Sequence, residues 1–372
     1  MSEKKNKEHQ RKKIVIAGGG TGGHIYPAIA MARALLKKDP DIDIHFVGTA
    51  QGLETKIIPR EGWPLHLLNV GKLNYAGSYL KKLMTLLRIP WAFVQSSALL
   101  FELKPQAVLG VGGYASGPFV LIASLLGFRA SLWEPNAIPG LTNRWLSRFV
   151  RRSYIVFEDA RKFLHSNEIK LVGLPVREVL ESQIEKHAPR TDNFFHVLVF
   201  GGSQGARAIN QVVCEAILSE FEWRKNIKFM HQTGPLDFAD IQNKYKDQKQ
   251  IEAREYLHDM EKQYAWADLV ICRAGASTVA EIAACGKATL FIPLPWAADD
   301  HQVKNAQTLV DASAADMILQ KDLSKDVLVK KIQDLSQDPA KLKSFESKVK
   351  MFYKAKAADR MADLLLNQMG DG

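Results

Sequence analysis

The segment IVIAGGGTGGH, residues 14–24, runs from an apolar stretch straight into a glycine-dense turn, and VLVFGGSQGAR, residues 197–207, does the same. This pairing constrains the fold more than any other feature of the chain. A short apolar run closed by glycine and followed by a helical pattern reads as a buried strand entering a helix. Glycines at that junction let backbone N–H groups approach an anion at the positive end of the helix. A chain that builds this device twice is expected to contain two α/β halves, each with its own sheet.

The rest of the sequence keeps that rhythm. Apolar runs closed by Gly or Pro occur at KIVIAGG, DIHFVG, AVLGVGG, ASLWEP, SYIVFE and IKLVG, with helical patterns such as PAIAMARALLKK between them. A second series, HVLVFGG, IKFMHQTG, QIEAREYL, DLVICRAG, ATLFIPLP and ADMILQ, follows. Strands alternating with helices imply doubly wound parallel sheets covered on both faces. The 372 residues exceed the usual size of a single core. The expected organisation is a basic tail over 1–12, a Rossmann-like domain over 13–178, a polar linker with Pro189 over 179–193, and a second Rossmann-like domain over 194–345. A C-terminal helix over 346–372 has no strand partner and is open to packing on either domain, including back on the N-terminal one. Ligands of such sheets sit beyond the carboxyl ends of the strands, so both glycine turns are expected to open onto one cleft.

Composition narrows the class. Hydrophobic residues make up 47% and charged residues 24%, the balance of a globular protein. Cys214, Cys272 and Cys285 lack CxxC spacing and a nearby histidine pair, which argues against zinc and disulfide frameworks and for a reducing compartment. The opening MSEKKNKEHQRKK lacks an apolar stretch, and no run of about 18 apolar residues is present to span a bilayer. A soluble or peripheral protein is expected. The formal charge of +10 invites an anionic partner. No Asp or Glu occurs between Gly62 and Phe101, whereas Lys72, Lys81, Lys82 and Arg88 do.

Two glycine loops and one helix start are the candidates for the chemistry. Gly18, Gly20 and Gly23 satisfy G-x-G-x-x-G, but the second strand, IHFVGTAQG, ends without the acidic residue that a nicotinamide dinucleotide needs on its ribose. Gly201, Ser203 and Gly205 form G-x-S-x-G, with Asp268 and His301 following in the order of a hydrolase triad. Asp268 opens its strand instead of lying beyond its far end, so Ser203 reads better as a phosphate or hydroxyl donor. In RAGASTVAEIAACG, residues 273–286, a strand breaks at AGAS and a helix begins. Ser277, Thr278 and the next backbone N–H groups there would present an anion site, and Glu281 one turn in could accept two hydrogen bonds from a ribose diol. The alternative is that Thr278 and Glu281 form a capping box.

TGGHIYPAIA, GVGGYASGP, WEPNAIPGLTNRWL, GLPVR, GGSQGARAIN, YAWADLVICRAGASTVAEIAACG and DDHQVKNA, in this order, resemble the MurG family of glycosyltransferases over nearly the whole chain. The resemblance implies a GT-B fold, with UDP-N-acetylglucosamine as donor and lipid I, undecaprenyl-diphosphoryl-N-acetylmuramoyl-pentapeptide, as acceptor. Lipid II is the implied product, and no cofactor or metal is implied. Both substrates are diphosphates, so two glycine turns would serve two anions.

On the donor side the resemblance implies Ser203 near the diphosphate, Leu257 contacting uracil through its backbone, and Ala276, Ser277, Thr278, Val279 and Ala280 around the helix start. Glu281 would bind the ribose, Arg177 would bring positive charge, and Asn136 and Gln302 would bind sugar hydroxyls. Thr21, Gly22 and Gly23 would also bind substrate, and Tyr114 would contact the acceptor. His24 is the candidate base for the acceptor C4 hydroxyl in an inverting displacement, with Glu134 as its rival. The sequence departs from the family pattern at Pro135, Leu174 and His301.

SYLKKLMTLLRIPWAFV, residues 78–94, places Leu80, Leu83 and Leu87 on one helical face and Lys81, Lys82, Thr85 and Arg88 on another, before Pro90 interrupts. Residues 72–94 are expected to meet an anionic membrane, with Tyr75, Tyr79, Trp91 and Phe93 as interfacial anchors. The implied location is peripheral, on the cytoplasmic face of the inner membrane. Nucleic acid is not expected as a partner, because the basic stretch lacks an aromatic platform on a sheet. The alternatives are a nucleotide-sugar binding module without transfer activity and an NAD(P)-dependent oxidoreductase.

Overall fold

The structure, a computed structural model, describes residues 11–70, 79–176, 180, 192–295 and 300–370, and of the helix that begins at Tyr79 it describes the side chains from residue 90 onward. The chain divides into two compact units. The first comprises Met1–Pro135, Pro139–Pro175 and Lys356–Gly372, and the second comprises Asn136–Ile138 and Val176–Ala355.

The first unit is built on a seven-stranded sheet of β1 (Lys13–Gly18), β2 (Asp43–Thr49), β3 (Leu65–Leu68), β4 (Ala107–Gly112), β5 (Ala130–Glu134), β6 (Arg152–Ile155) and β7 (Glu168–Leu171). Their spatial order is β3-β2-β1-β4-β5-β6-β7, and every pairing is parallel. The apolar run of β1 explains its central place: Ile14, Val15, Ile16 and Ala17 are completely buried, covered by helices on both faces. Strand order reverses between β1 and β4, and the register shifts there so that Gly18 pairs with Gly112. This is the switch point at which ligands of doubly wound sheets bind.

Two local expectations change. The helix Tyr79–Leu103 continues through Pro90. The loss of one backbone bond is tolerated because Ala92, Ser96 and Leu100 bury one face of the helix beyond it. The C-terminal segment, expected as one helical stretch from 346, is divided between the units. Pro339–Val349 belongs to the second, whereas Ala357–Gly370 packs in the first, along the helix Gly22–Lys38. Arg129 Nη1 donates to the carbonyls of Gln368 and Met369 at 3.0 and 2.7 Å, satisfying acceptors that a helix end leaves open. Gln368 donates back to the Arg129 carbonyl and accepts from the Tyr154 hydroxyl.

The second unit repeats the plan with six parallel strands: β8 (Phe195–Phe200), β9 (Ile227–Gln232), β10 (Ile251–Arg254), β11 (Leu269–Cys272), β12 (Thr289–Phe291) and β13 (Asp316–Met317). Their order is β10-β9-β8-β11-β12-β13, so the switch point lies between β8 and β11. Topology therefore brings together the loop after β8, which carries GGSQG, and the loop after β11, which carries RAGAS.

Candidate active site

In the second unit the GGSQG loop is a tight backbone turn. Gly205 N–H donates to the Gly202 carbonyl at 2.9 Å, and both residues have positive φ, +94° and +75° in chain order. A Cβ on Gly205 would lie 1.9 Å from the Thr233 carbonyl oxygen, so glycine alone permits that approach. Gln232, at the end of β9, donates from Nε2 to the Gly202 carbonyl at 2.9 Å and accepts the Leu257 N–H on Oε1 at 3.0 Å. One amide thus fixes both the loop and Leu257. Ser203 stands exposed at the tip.

A polar network lies beneath this loop. Asn210 Nδ2 donates to the Thr233 carbonyl at 2.7 Å and to Asp237 at 2.8 Å, while its Oδ1 is 3.1 Å from His231 Nε2. His231 Nδ1 is 3.1 Å from the Tyr245 hydroxyl. Burial drives the His231 pKa down to about 3, so the ring is neutral. Since Asn210 Oδ1 can only accept, the partners assign the proton to Nε2.

The helix Ala276–Cys285 starts directly after β11, with Gly275 as its N-cap. A capping box on Thr278 is therefore excluded, because Thr278 already lies inside the first turn. Ser277, Thr278 and Ala280 are half-buried around the helix start, and Val279 turns into the core. Glu281 is half-buried one turn in, where its Oε2 accepts the hydroxyl of Tyr264 at 3.0 Å. Burial, reinforced by the Glu281 carboxylate, raises Tyr264 well above the usual phenol range.

Amides organise the neighbouring loops. Gln302 Oε1 accepts the N–H groups of Ala274 and Leu294 at 3.2 and 3.0 Å, tying together the exits of β11 and β12. Asn305 is completely buried and joins three chain segments. Its Nδ2 donates to the Ala274 carbonyl at 3.1 Å and to Asn136 Oδ1 at 3.2 Å, and its Oδ1 accepts the Ala137 N–H at 2.9 Å. These bonds make Asn136–Ile138 part of the second unit, although the sequence reading places them within 13–178. Buried Arg273 holds the carbonyls of Ile292 and Pro293, both at 3.0 Å, and Gln320 Oε1 at 2.7 Å. Asp268 accepts the His196 N–H at 2.9 Å, at the amino ends of β11 and β8, whereas Ser203 follows the carboxyl end of β8. The hydrolase constellation is not assembled. Arg177 lies outside the described residues.

In the first unit the turn after β1 interlocks with the turn after β4. Gly19 N–H donates to the Gly112 carbonyl at 3.1 Å, and a Cβ on Gly113 would lie 2.5 Å from the Gly19 carbonyl oxygen. The half-buried His24 ring rests on this contact, since a Cβ on Gly112 would come within 2.8 Å of its Cε1. Tyr114 is half-buried in the same β4 turn. Glu134, the rival base, is 2% exposed, and its Oε2 accepts from Asn143 Nδ2 at 2.8 Å and Gly140 N–H at 3.3 Å.

Gly20, just before the predicted substrate residues Thr21, Gly22 and Gly23, is engaged within the protein. Its N–H donates at 2.7 Å to Glu54, a carboxylate of the protein itself. Thr21 is the N-cap of the helix Gly22–Lys38, so Gly22, Gly23 and His24 form its first turn. Among the described residues no group of three or more His, Cys, Asp or Glu side chains is placed to hold a metal ion.

Two doubly wound parallel-sheet units, each with a glycine turn at its switch point, give the chain the architecture of the GT-B glycosyltransferases. Residues 14–155 match the glycosyltransferase family 28 N-terminal domain and residues 196–361 its C-terminal domain. The chain belongs to glycosyltransferase family 28. It is 50% identical over 357 residues to the UDP-N-acetylglucosamine--N-acetylmuramyl-(pentapeptide) pyrophosphoryl-undecaprenol N-acetylglucosamine transferase of Bdellovibrio bacteriovorus, covering 96% of this chain and 99% of that one. The protein of the same name from Myxococcus xanthus is 43% identical, with 96% and 93% covered. The crystal structure of Acinetobacter baumannii MurG aligns with a TM-score of 0.80 at 29% identity, covering 96% of this chain and 99% of that one. A UDP-N-acetylglucosamine 2-epimerase, at 15% identity and a TM-score of 0.65, shares the fold.

Proposed function

We propose that the chain transfers N-acetylglucosamine from UDP-N-acetylglucosamine to the C4 hydroxyl of the N-acetylmuramoyl-pentapeptide of lipid I, giving lipid II. The observation that carries this reading is Glu281, held by Tyr264 one turn inside a helix whose start faces the GGSQG loop across the switch point. That arrangement suits a uridine diphosphate, with the ribose diol on the carboxylate and the diphosphate at Ser203 and the N–H groups of residues 276–280. Leu257 would meet uracil through its carbonyl, because its N–H is engaged by Gln232. Asn136 and the Nε2 of Gln302 would bind the sugar. The names of the Bdellovibrio and Myxococcus relatives supply donor and acceptor.

In this reading the first unit holds the acceptor, with its diphosphate at Thr21–Gly23 and Tyr114 beside it. The C4 oxygen attacks the anomeric carbon from the face opposite UDP, and His24 takes the hydroxyl proton. The bond from the anomeric carbon to the β-phosphate oxygen breaks, and UDP leaves with the electron pair. The positive helix end and the Ser203 and Thr278 hydroxyls offset the charge that develops. Glu134, buried and committed to Asn143 and Gly140, shapes the loop and does not compete as base.

We place the enzyme at the cytoplasmic face of the inner membrane. Trp91 and Val94 are exposed on the helix Tyr79–Leu103, as an interfacial anchor requires. Phe93 leaves the set of anchors because it packs against the core, and the side chains of Lys72, Tyr75, Tyr79, Lys81, Lys82 and Arg88 lie outside the described residues. No described helix is long and apolar enough to cross a membrane. Incubation with UDP-N-acetylglucosamine and a lipid I analogue tests the reading: UDP release should depend on the acceptor. Donor binding with no acceptor-dependent release would favour a binding module.

A further inference from the structure

The glycine turn after β1 already contains an anion. Glu54 begins the helix Glu54–Arg60 and is 1% exposed. Its Oε2 accepts the Gly20 N–H at 2.7 Å, and its Oε1 accepts the Thr49 N–H and hydroxyl at 2.9 and 3.0 Å. The surrounding backbone is shaped to the carboxylate. A Cβ on Gly19 would lie 2.4 Å from Glu54 Cδ, one on Gly48 2.6 Å from Cγ, and one on Gly52 1.8 Å from Oε2. Glycines on two separate stretches of chain leave a space that this one side chain fills.

The position of that space matters. Gly20 immediately precedes Thr21, Gly22, Gly23 and His24, the start of the helix Gly22–Lys38. The turn is anchored on one side by the Gly19 bond to Gly112 and on the other by the Gly20 bond to Glu54. Gly20 has φ +89°, a conformation that glycine adopts without strain but does not hold unaided. A charged acceptor gives a backbone donor one of the stronger hydrogen bonds available to it.

We propose that Glu54 is a positioning residue for glycosyl transfer. Its carboxylate takes the place in this turn that a ligand phosphate takes in nucleotide-binding turns, and so fixes residues 20–24, against which the acceptor is aligned. The inference rests on the acceptor role given above to the first unit. It also explains a division of labour: the first turn is locked internally and passes its alignment to the helix start, whereas the GGSQG loop of the second unit leaves Ser203 exposed at its tip.

The test compares the full-length protein with Glu54→Gln and Glu54→Ala, varying donor and acceptor separately, with and without sodium formate. Glutamine cannot accept from all three donors and should lower kcat on the order of tenfold or more, raise the acceptor KM and leave the donor KM unchanged. Formate fits the vacated space and should restore Glu54→Ala several-fold, whereas chloride at equal ionic strength should not. Amide hydrogen exchange without substrates should rise over residues 20–24 in Glu54→Gln and stay unchanged in the second unit.

Wild-type kinetics in either variant, equal loss for donor and acceptor, unaltered exchange over 20–24, or a folded Glu54→Ala that formate does not rescue would each overturn the proposal. Should Glu54→Ala fail to fold, the KM split and exchange of Glu54→Gln decide alone. A wild-type protein without acceptor-dependent UDP release would overturn the functional reading instead, and the exchange measurement would still decide the role of Glu54.

Discussion

The Tyr264 hydroxyl donates to Glu281 Oε2 at 3.0 Å, from a side chain that is 1% exposed, and so holds the carboxylate one turn inside the helix Ala276–Cys285. The raised pKa of Tyr264 keeps the phenol protonated across the working range, so the contact persists as a donor to a carboxylate. Glu281→Ala should therefore raise the KM for UDP-N-acetylglucosamine by roughly tenfold to a hundredfold, the equivalent of about 1.5–3 kcal/mol for charged hydrogen bonds. Tyr264→Phe should raise it only a few-fold. Calorimetry with UDP checks both, and an unchanged affinity in Glu281→Ala would remove the residue from the ribose.

His24→Ala should lower kcat by about 10²–10⁴, the usual contribution of general base catalysis, while the donor dissociation constant stays near that of the wild type. Glu134→Gln keeps an acceptor for Asn143 and should cost far less turnover. The opposite ranking would exchange the roles of these two residues.

His231 gives the second unit an acid-sensitive component. Its folded pKa is near 3, whereas an exposed histidine titrates near 6.5. As pH falls, the unfolded chain takes up the proton first. The stabilisation is complete above about pH 6.5 and is lost between there and about pH 3, with a limiting slope of about 1.4 kcal/mol per pH unit. His231→Gln can still donate to Asn210 and accept from Tyr245, so it should flatten this limb in urea titrations near pH 7 and near pH 5. Equal slopes in both proteins would refute the assignment.

Burial raises the thiols of Cys214, Cys272 and Cys285, the last to about 12. The native protein should react very slowly with Ellman's reagent near pH 8, with half-buried Cys285 first, and should release all three thiols in denaturant.

Much of the fold was legible because strands buried on both faces are written as continuous apolar runs, as in KIVIAG and FHVLVF. β3 was missed because LHLL is short, carries His66 and lies at the sheet edge, where burial is incomplete. The glycine loops and the helix start at Ala276 could be read from local spacing. Their supports could not: Gln232, Asn305 and Glu54 act on backbone groups tens of residues away, and a lone Gln, Asn or Glu in sequence carries no record of its partner. Asn305 stood within DDHQVKNA without a distinguishing signal, although its bonds transfer Asn136–Ile138 to the second unit.

The helix Ala357–Gly370 belongs to the first unit yet is synthesised after the whole of the second. Until the ribosome has released it, the helix Gly22–Lys38 lacks this packing neighbour, whose Met361, Ala362 and Leu365 are completely buried in the folded protein. The later unit can complete its core while the earlier one still waits, so a nascent chain halted shortly before this helix would leave an apolar surface open to chaperones.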